Sequence, residues 1–180
     1  RHASGRLRGG VVGTLMTNLG LEHALAESHI PFKRGQVGDR HVMNLLHQEG
    51  WELGGETSGH IICLDKSSTG DGIIAALEIL AVLVQTGKSL AELKSGMQVY
   101  PQTMINVRMK QRFDIKSSKE VMTVLGEVEK ELATHGRVVL RASGTEPVVR
   151  VMVEGRDAQL IERLGQVLAE TVRRAAELAA

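Results

Sequence analysis

The sequence predicts an α/β protein built as two units: a mixed α/β unit over residues 1–98, then a small two-layer α+β unit over 99–180. In the first unit, short apolar runs bounded by glycine alternate with helical repeats. Gly96 and Pro101 then bracket a break, since neither residue favours a continuing helix. Beyond Pro101 the elements run strand, helix, strand, strand, helix, the order of a small sheet with helices over one face.

Gly9 to Met16 (Gly-Gly-Val-Val-Gly-Thr-Leu-Met) reads as a buried strand after a flexible lead. Asn18 can cap a helix running through about His29, which Pro31 ends. Asp39 suits the N-cap of a second helix, with Val42, Met43, Leu45 and Leu46 on its apolar side and Gly50 as its stop. Trp51 to His60 is a glycine-rich turn between two strand-like runs, the second being Ile61 to Leu64. After the polar turn Lys66 to Gly72, a helix beginning near Asp71 is apolar nearly all round, so it is expected at the centre of its unit. Ser89-Leu-Ala-Glu92 is a capping box for a further short helix.

In the second unit, Thr103 to Met109 alternates apolar and polar positions as a strand does. The capping box Ser117-Ser-Lys-Glu120 opens a helix with Val121, Leu125, Val128 and Leu132 on one stripe. Arg137–Arg141 and Val148–Val153 read as two strands joined by a tight loop. Asp157 caps a final helix whose stripe is Leu160, Leu164, Leu168 and Val172.

Composition narrows the function. The 180 residues are 42% hydrophobic and 24% charged, ordinary for a soluble globular chain, and the net charge of +1 gives no field that calls for nucleic acid. Four aromatics (Phe32, Trp51, Tyr100 and Phe113) are too few for a platform on which bases stack. The longest apolar stretch, Ile73 to Val84, is interrupted by Glu78 and is too short to span a bilayer. Neither nucleic acid nor membrane is therefore expected as a partner. The single cysteine, Cys63, cannot form an intrachain disulfide, which leans toward a reducing, cytoplasmic setting. It follows two isoleucines and reads as a small buried hydrophobe. Arg1 to Gly10 lacks the apolar run of a secretory leader. Because the sequence starts with arginine and not methionine, a piece of a longer protein is expected.

Two segments carry the chemistry. In Val139-Leu-Arg-Ala-Ser-Gly-Thr-Glu-Pro-Val-Val-Arg150, a strand leads into a loop with two hydroxyls and a glycine, and the next strand returns a second arginine. A phosphate needs donors from several directions, which backbone amides, hydroxyls and the fork of an arginine supply. The same residues also suit a plain hairpin turn with solvated arginines. In Gly54-Gly-Glu-Thr-Ser-Gly-His60, the side chains of Glu56, Ser58 and His60 face one way if the loop is extended. A carboxylate, a hydroxyl and an imidazole together can hold a polyol, although a surface hairpin would carry similar residues. Other signals fail. Gly87-Lys88-Ser89 resembles the end of a nucleotide-binding P-loop, but its first required glycine would fall at Val82. The seven histidines show no paired metal spacing and there is no Asp-x-Asp-x-Asp run, so no metal site is expected in this chain.

Arg141-Ala-Ser-Gly-Thr-Glu-Pro with Arg150 resembles the phosphate-binding loop of the α-D-phosphohexomutases, and Gly55 to His60 resembles their sugar-binding loop. Thr14-Leu-Met-Thr-Asn18, Val37-Gly-Asp-Arg40 and Ser68-Thr-Gly-Asp-Gly72 are similar to the bacterial branch that acts on a phosphorylated amino sugar. The resemblance covers the chain from Gly9 on and implies the third and fourth of the family's four domains. It implies that Glu56 and Ser58 bind sugar hydroxyls and that His60 lies near the reacting hydroxyl, in place for general acid–base work. Arg141, Ser143, Gly144, Thr145 and Arg150 would hold the phosphate that is not transferred. Asp39 and Arg40 would lie in a loop that helps orient substrate, while helix capping remains the other reading of Asp39. The family's phosphoryl-carrying serine and its aspartate-rich magnesium loop belong to its first two domains, and neither motif occurs here. Magnesium and those two domains are thus expected partners of the chain, which alone should be inactive. Phosphomannomutases and phosphoglucomutases of the same family, and a non-catalytic phosphosugar-binding module, are the alternatives.

Overall fold

The computed structural model describes residues 1–111, 114–144 and 146–178. The chain divides by packing into two compact units, Arg1–Val99 and Tyr100–Ala180.

Unit 1 is a four-stranded sheet between helices. Its elements are β1 (Val11–Thr14), α1 (Leu19–Glu27), β2 (Phe32–Gly35), α2 (Asp39–Glu49), β3 (Leu53–Gly55), β4 (Ile61–Cys63), α3 (Gly72–Thr86) and α4 (Leu90–Lys94). The strand order is β2-β1-β3-β4, with β1 parallel to both neighbours and β4 antiparallel to β3. Val12 and Ile62 stand on one face of the sheet and pack with Val42 and Leu46 of α2, all four fully buried. Gly54 lies on that face opposite Val12. A Cβ there would meet Val42 Cγ1 at 2.7 Å and Leu46 Cδ1 at 3.1 Å, so glycine lets α2 press directly on the sheet. Leu53, Ile61 and Cys63 point to the opposite face, toward Ala75, Ile79 and Val82 of α3, across a cavity of about 480 Å³.

Four details differ from the sequence reading. Strand β2 has no apolar signature, because it is a short edge strand whose Lys33 and Arg34 reach outward to Glu49 and Glu22. Gly38, not Asp39, is the N-cap of α2; Asp39 is the first helical residue, and its carboxylate is turned toward His60 instead of the helix amides. Ser118, not Ser117, caps the helix of the second unit. Ser117 belongs to a preceding single turn, Ile115–Ser117, and its hydroxyl donates to the Asp114 carbonyl. Finally, α3 is not buried all round. Its outward stripe of Ile73, Leu77, Leu80 and Val84 is 74%, 59%, 53% and 83% exposed, because the sheet covers only the Ala75 side.

Unit 2 holds β5 (Gln102–Arg108), α5 (Lys119–Leu132), β6 (Gly136–Ala142), β7 (Val148–Gly155) and α6 (Ala158–Leu178). All pairings are antiparallel, in the order β5-β7-β6, so the last strand in sequence is the central one. Val107, Val149, Val151 and Val153 turn one face toward Val121, Val128 and Leu132 of α5 and Leu164, Leu168 and Val172 of α6. Each such side chain contributes about 1.5–3 kcal/mol when fully buried. Asn18, Asp71, Ser89 and Asp157 cap the helices expected of them, each accepting from amides of the first turn. No helix among the described residues is long and apolar enough to cross a membrane.

Candidate functional site

In unit 1 the polypeptide reverses direction across the sheet at β1: α1 leads from β1 outward to β2, and α2 leads back past β1 to β3. In parallel sheets this switch point leaves a crevice beyond the carboxyl ends of the two strands, where the following loops part. A cavity of about 380 Å³ reaches this end, lined there by Gly13, Asn18, Glu56 and His60 and, along the sheet face, by Val11, Leu53 and Ile61. Its walls are fixed locally. Arg34 donates to the carbonyls of Thr14 (3.0 Å) and Thr17 (2.6 Å) and pairs with Glu22 at 2.7 Å, which pins the turn after β1.

The loop after β3 is a closed turn and not the extended segment considered above. Glu56 N donates to the His60 carbonyl at 2.9 Å, and Gly59 N donates to the Glu56 carbonyl at 3.1 Å. The turn, rather than strand alternation, brings the polar side chains together. Glu56 accepts from the Gly38 amide at 2.7 Å through Oε1 and from the Ser58 hydroxyl at 3.3 Å through Oε2. His60 Nδ1 lies 3.0 Å from Asp39 Oδ1, a buried oxygen on which no hydrogen bond is directed. Asp39, Glu56 and His60 each bring one ligand atom within 4.8 Å of the others. No sequence spacing announced this trio, because Asp39 comes from the start of α2 while Glu56 and His60 belong to the turn after β3. Arg40 is exposed and has no ion pair among the described residues. The Cys63 thiol is buried on β4, and that burial pushes its pKa up, against any role as a nucleophile.

In unit 2 the β6–β7 hairpin places the second polar set. Ser143 N donates to the Val148 carbonyl at 2.7 Å, and the Ser143 hydroxyl accepts from Glu146 N at 3.3 Å, closing the loop around Gly144. Thr145 lies outside the described residues. Arg141 and Arg150 stand directly opposite each other in the β6–β7 register. Two like charges in that relation repel. Neither has an acidic partner among the described residues, whereas Arg137 on the same face is ion-paired with Glu154. Asn106 of β5 is the register partner of Arg150 on its other side, so Asn106, Arg150 and Arg141 form one row across the sheet. The sequence reading did not single out Asn106, although it occupies a polar position of an alternating strand.

Two family models match the chain: the alpha/beta/alpha domain III of the phosphoglucomutase/phosphomannomutases over residues 1–100, and their C-terminal domain over residues 104–171. The chain belongs to the phosphoglucomutase/phosphomannomutase family. It is 53% identical over 176 residues to the phosphoglucosamine mutase of Thiobacillus denitrificans, a match covering 98% of this chain and 38% of that protein. The phosphoglucosamine mutase of Methylobacillus flagellatus is 54% identical over the same length, covering 98% and 39%. Among solved structures, N-acetylphosphoglucosamine mutase of Aspergillus fumigatus superposes with a TM-score of 0.81 at 20% identity, over 96% of this chain and 40% of that one. A family protein from Burkholderia thailandensis superposes with a TM-score of 0.69 at 17% identity, over 97% and 39%. These two speak to the fold. The chain spans about two fifths of the length of the curated relatives it matches.

Proposed function

We propose that this chain is the sugar- and phosphate-recognising part of a phosphoglucosamine mutase. The longer enzyme interconverts glucosamine 6-phosphate and glucosamine 1-phosphate through a phosphoserine and a bisphosphate intermediate that turns round between two transfers. The chain's own residues must then accept a phosphate at either end of the sugar. Arg141, Ser143, Gly144, Thr145 and Arg150 hold the phosphate that is not transferred, reading the dianion and not its point of attachment. Glu56 and Ser58 accept and donate to sugar hydroxyls in both orientations. His60 stands beside the reacting hydroxyl, with Asp39 and Arg40 in the adjoining loop that orients substrate.

The observation that carries this reading is the facing pair Arg141 and Arg150, without acidic partners among the described residues and beside a loop of amides and hydroxyls. An anion there relieves their repulsion and gains charge-assisted hydrogen bonds. Magnesium, when bound, offsets charge on the transferring oxygens. Asp39, Glu56 and His60 do not fit that ion: magnesium takes an octahedral set of oxygens, whereas one donor here is an imidazole and both Glu56 oxygens already accept hydrogen bonds. The magnesium ligands and the phosphoserine are therefore assigned to the part of the longer relatives that this chain does not span.

The test is titration of the chain with inorganic phosphate and with glucosamine 6-phosphate at fixed salt. Hydrogen bonds to charged groups contribute ~1.5–3 kcal/mol, so Arg141→Ala should weaken both affinities about ten-fold or more. Arg141→Lys should restore only part of the loss, since a point charge replaces a planar fork. Glu56→Ala should weaken glucosamine 6-phosphate while leaving inorganic phosphate unchanged. If Arg141→Ala leaves both affinities intact, the loop is a hairpin turn and the reading fails.

A further inference from the structure

We infer that Asn106 is a third arm of the anion site of unit 2, donating its side-chain amide to an oxygen of the phosphate held by Arg150; this rests on the phosphate reading of the β6–β7 loop. Arg150 is on the central strand, flanked in register by Arg141 on β6 and by Asn106 on β5. Residues opposite one another on antiparallel strands have Cβ atoms about 4.5–5.5 Å apart and share a face. An anion seated on the Arg150 guanidinium thus has Arg141 on one side and Asn106 on the other.

The chemistry of the row supports the assignment. Asn106 is exposed, and its side chain has no hydrogen bond among the described residues, so its side-chain amide is available. A cation at this position would add a third like charge to the pair that already repels, and an anion would neutralise Arg150 and displace the ligand. A neutral side chain with N–H donors adds a hydrogen bond without either cost. Elsewhere on the same face the opposite solution appears: Arg137, four residues along β6 from Arg141, faces Glu154 and is ion-paired with it. One row is thus neutralised by the protein itself, and the other is left for a ligand.

The experiment uses the 180-residue chain with inorganic phosphate and glucosamine 6-phosphate as probes, and compares Asn106→Asp, Asn106→Ala and Arg141→Ala. Asn106→Asp should reduce phosphate affinity by about ten-fold or more, and it should raise the urea midpoint because the new carboxylate pairs with Arg150. Asn106→Ala should reduce affinity about five-fold, the loss of one net hydrogen bond, with the urea midpoint unchanged. Wild-type phosphate affinity in both Asn106 variants, with Arg141→Ala weakened, overturns this inference and leaves the proposed function standing. Wild-type affinity in Arg141→Ala as well removes the anion site, and both fall together.

Discussion

Glu154 is completely buried in the sheet of unit 2, opposite Arg137 in register and ion-paired with it. Removing Arg137 takes a charge partner away from a carboxylate that lies wholly inside the protein. Arg137→Ala should therefore lower the unfolding free energy by about 3–5 kcal/mol in urea denaturation, and the double variant Arg137→Met, Glu154→Leu should recover most of it. A loss near that of an exposed ion pair, under about 1 kcal/mol, would show that water reaches Glu154. None of this was readable along the chain. The strand reading stopped at Val153, because a glutamate looks like a solvent position until its partner on β6 is known. Asp39 illustrates the same limit at the other site. Its side chain suits a helix cap, and only the turn that carries His60 into range draws it away. By contrast, residues whose work is done within three or four positions were legible. Asn18, Asp71, Ser89 and Asp157 cap the helices that their local sequences announce.

The contrast between α3 and α6 lies at the scale of the element. Both are rich in leucine and valine, and periodicity shows which residues share a face in each, but not what covers that face. In α6 the covered stripe includes Ile161, Leu164, Leu168 and Val172, all at most 2% exposed. In α3 the leucines at 77 and 80 face outward. Leu168→Ala should cost about 2–5 kcal/mol, whereas Leu80→Lys should stay within about 0.5 kcal/mol of the parent in the same urea assay. A large loss for Leu80→Lys would mean that this stripe is packed in solution. The expectation that α3 is central failed for a definite reason: hydrophobicity all round implies burial all round only if a second layer is present to supply it. The short edge strand β2 was missed for the complementary reason, since its two central residues are basic and reach acidic partners on α1 and α2.

For the whole molecule, the two packing units and the exposed Gln98 and Val99 before the buried Tyr100 direct a protease to the connection. Limited proteolysis should cut first between Gly96 and Pro101 and release a C-terminal piece of about eighty residues. First cleavage within Ile73–Val84 would place the boundary elsewhere. The motif order and the alternation of strand and helix were legible at this scale, because each motif is local. The strand order β5-β7-β6 was not, because it depends on pairings between distant segments. That order also bears on how the chain is made. Both outer strands of unit 2 have β7 as their only strand neighbour among the described residues, and β7 is synthesised last of the three. As the polypeptide leaves the ribosome, Thr103 to Val107 and then Val138 to Leu140 emerge before the strand that will pair with them. The apolar face of each strand must wait, exposed to chaperones and to neighbouring nascent chains, until Val148 to Gly155 arrives and the sheet closes around it in one step.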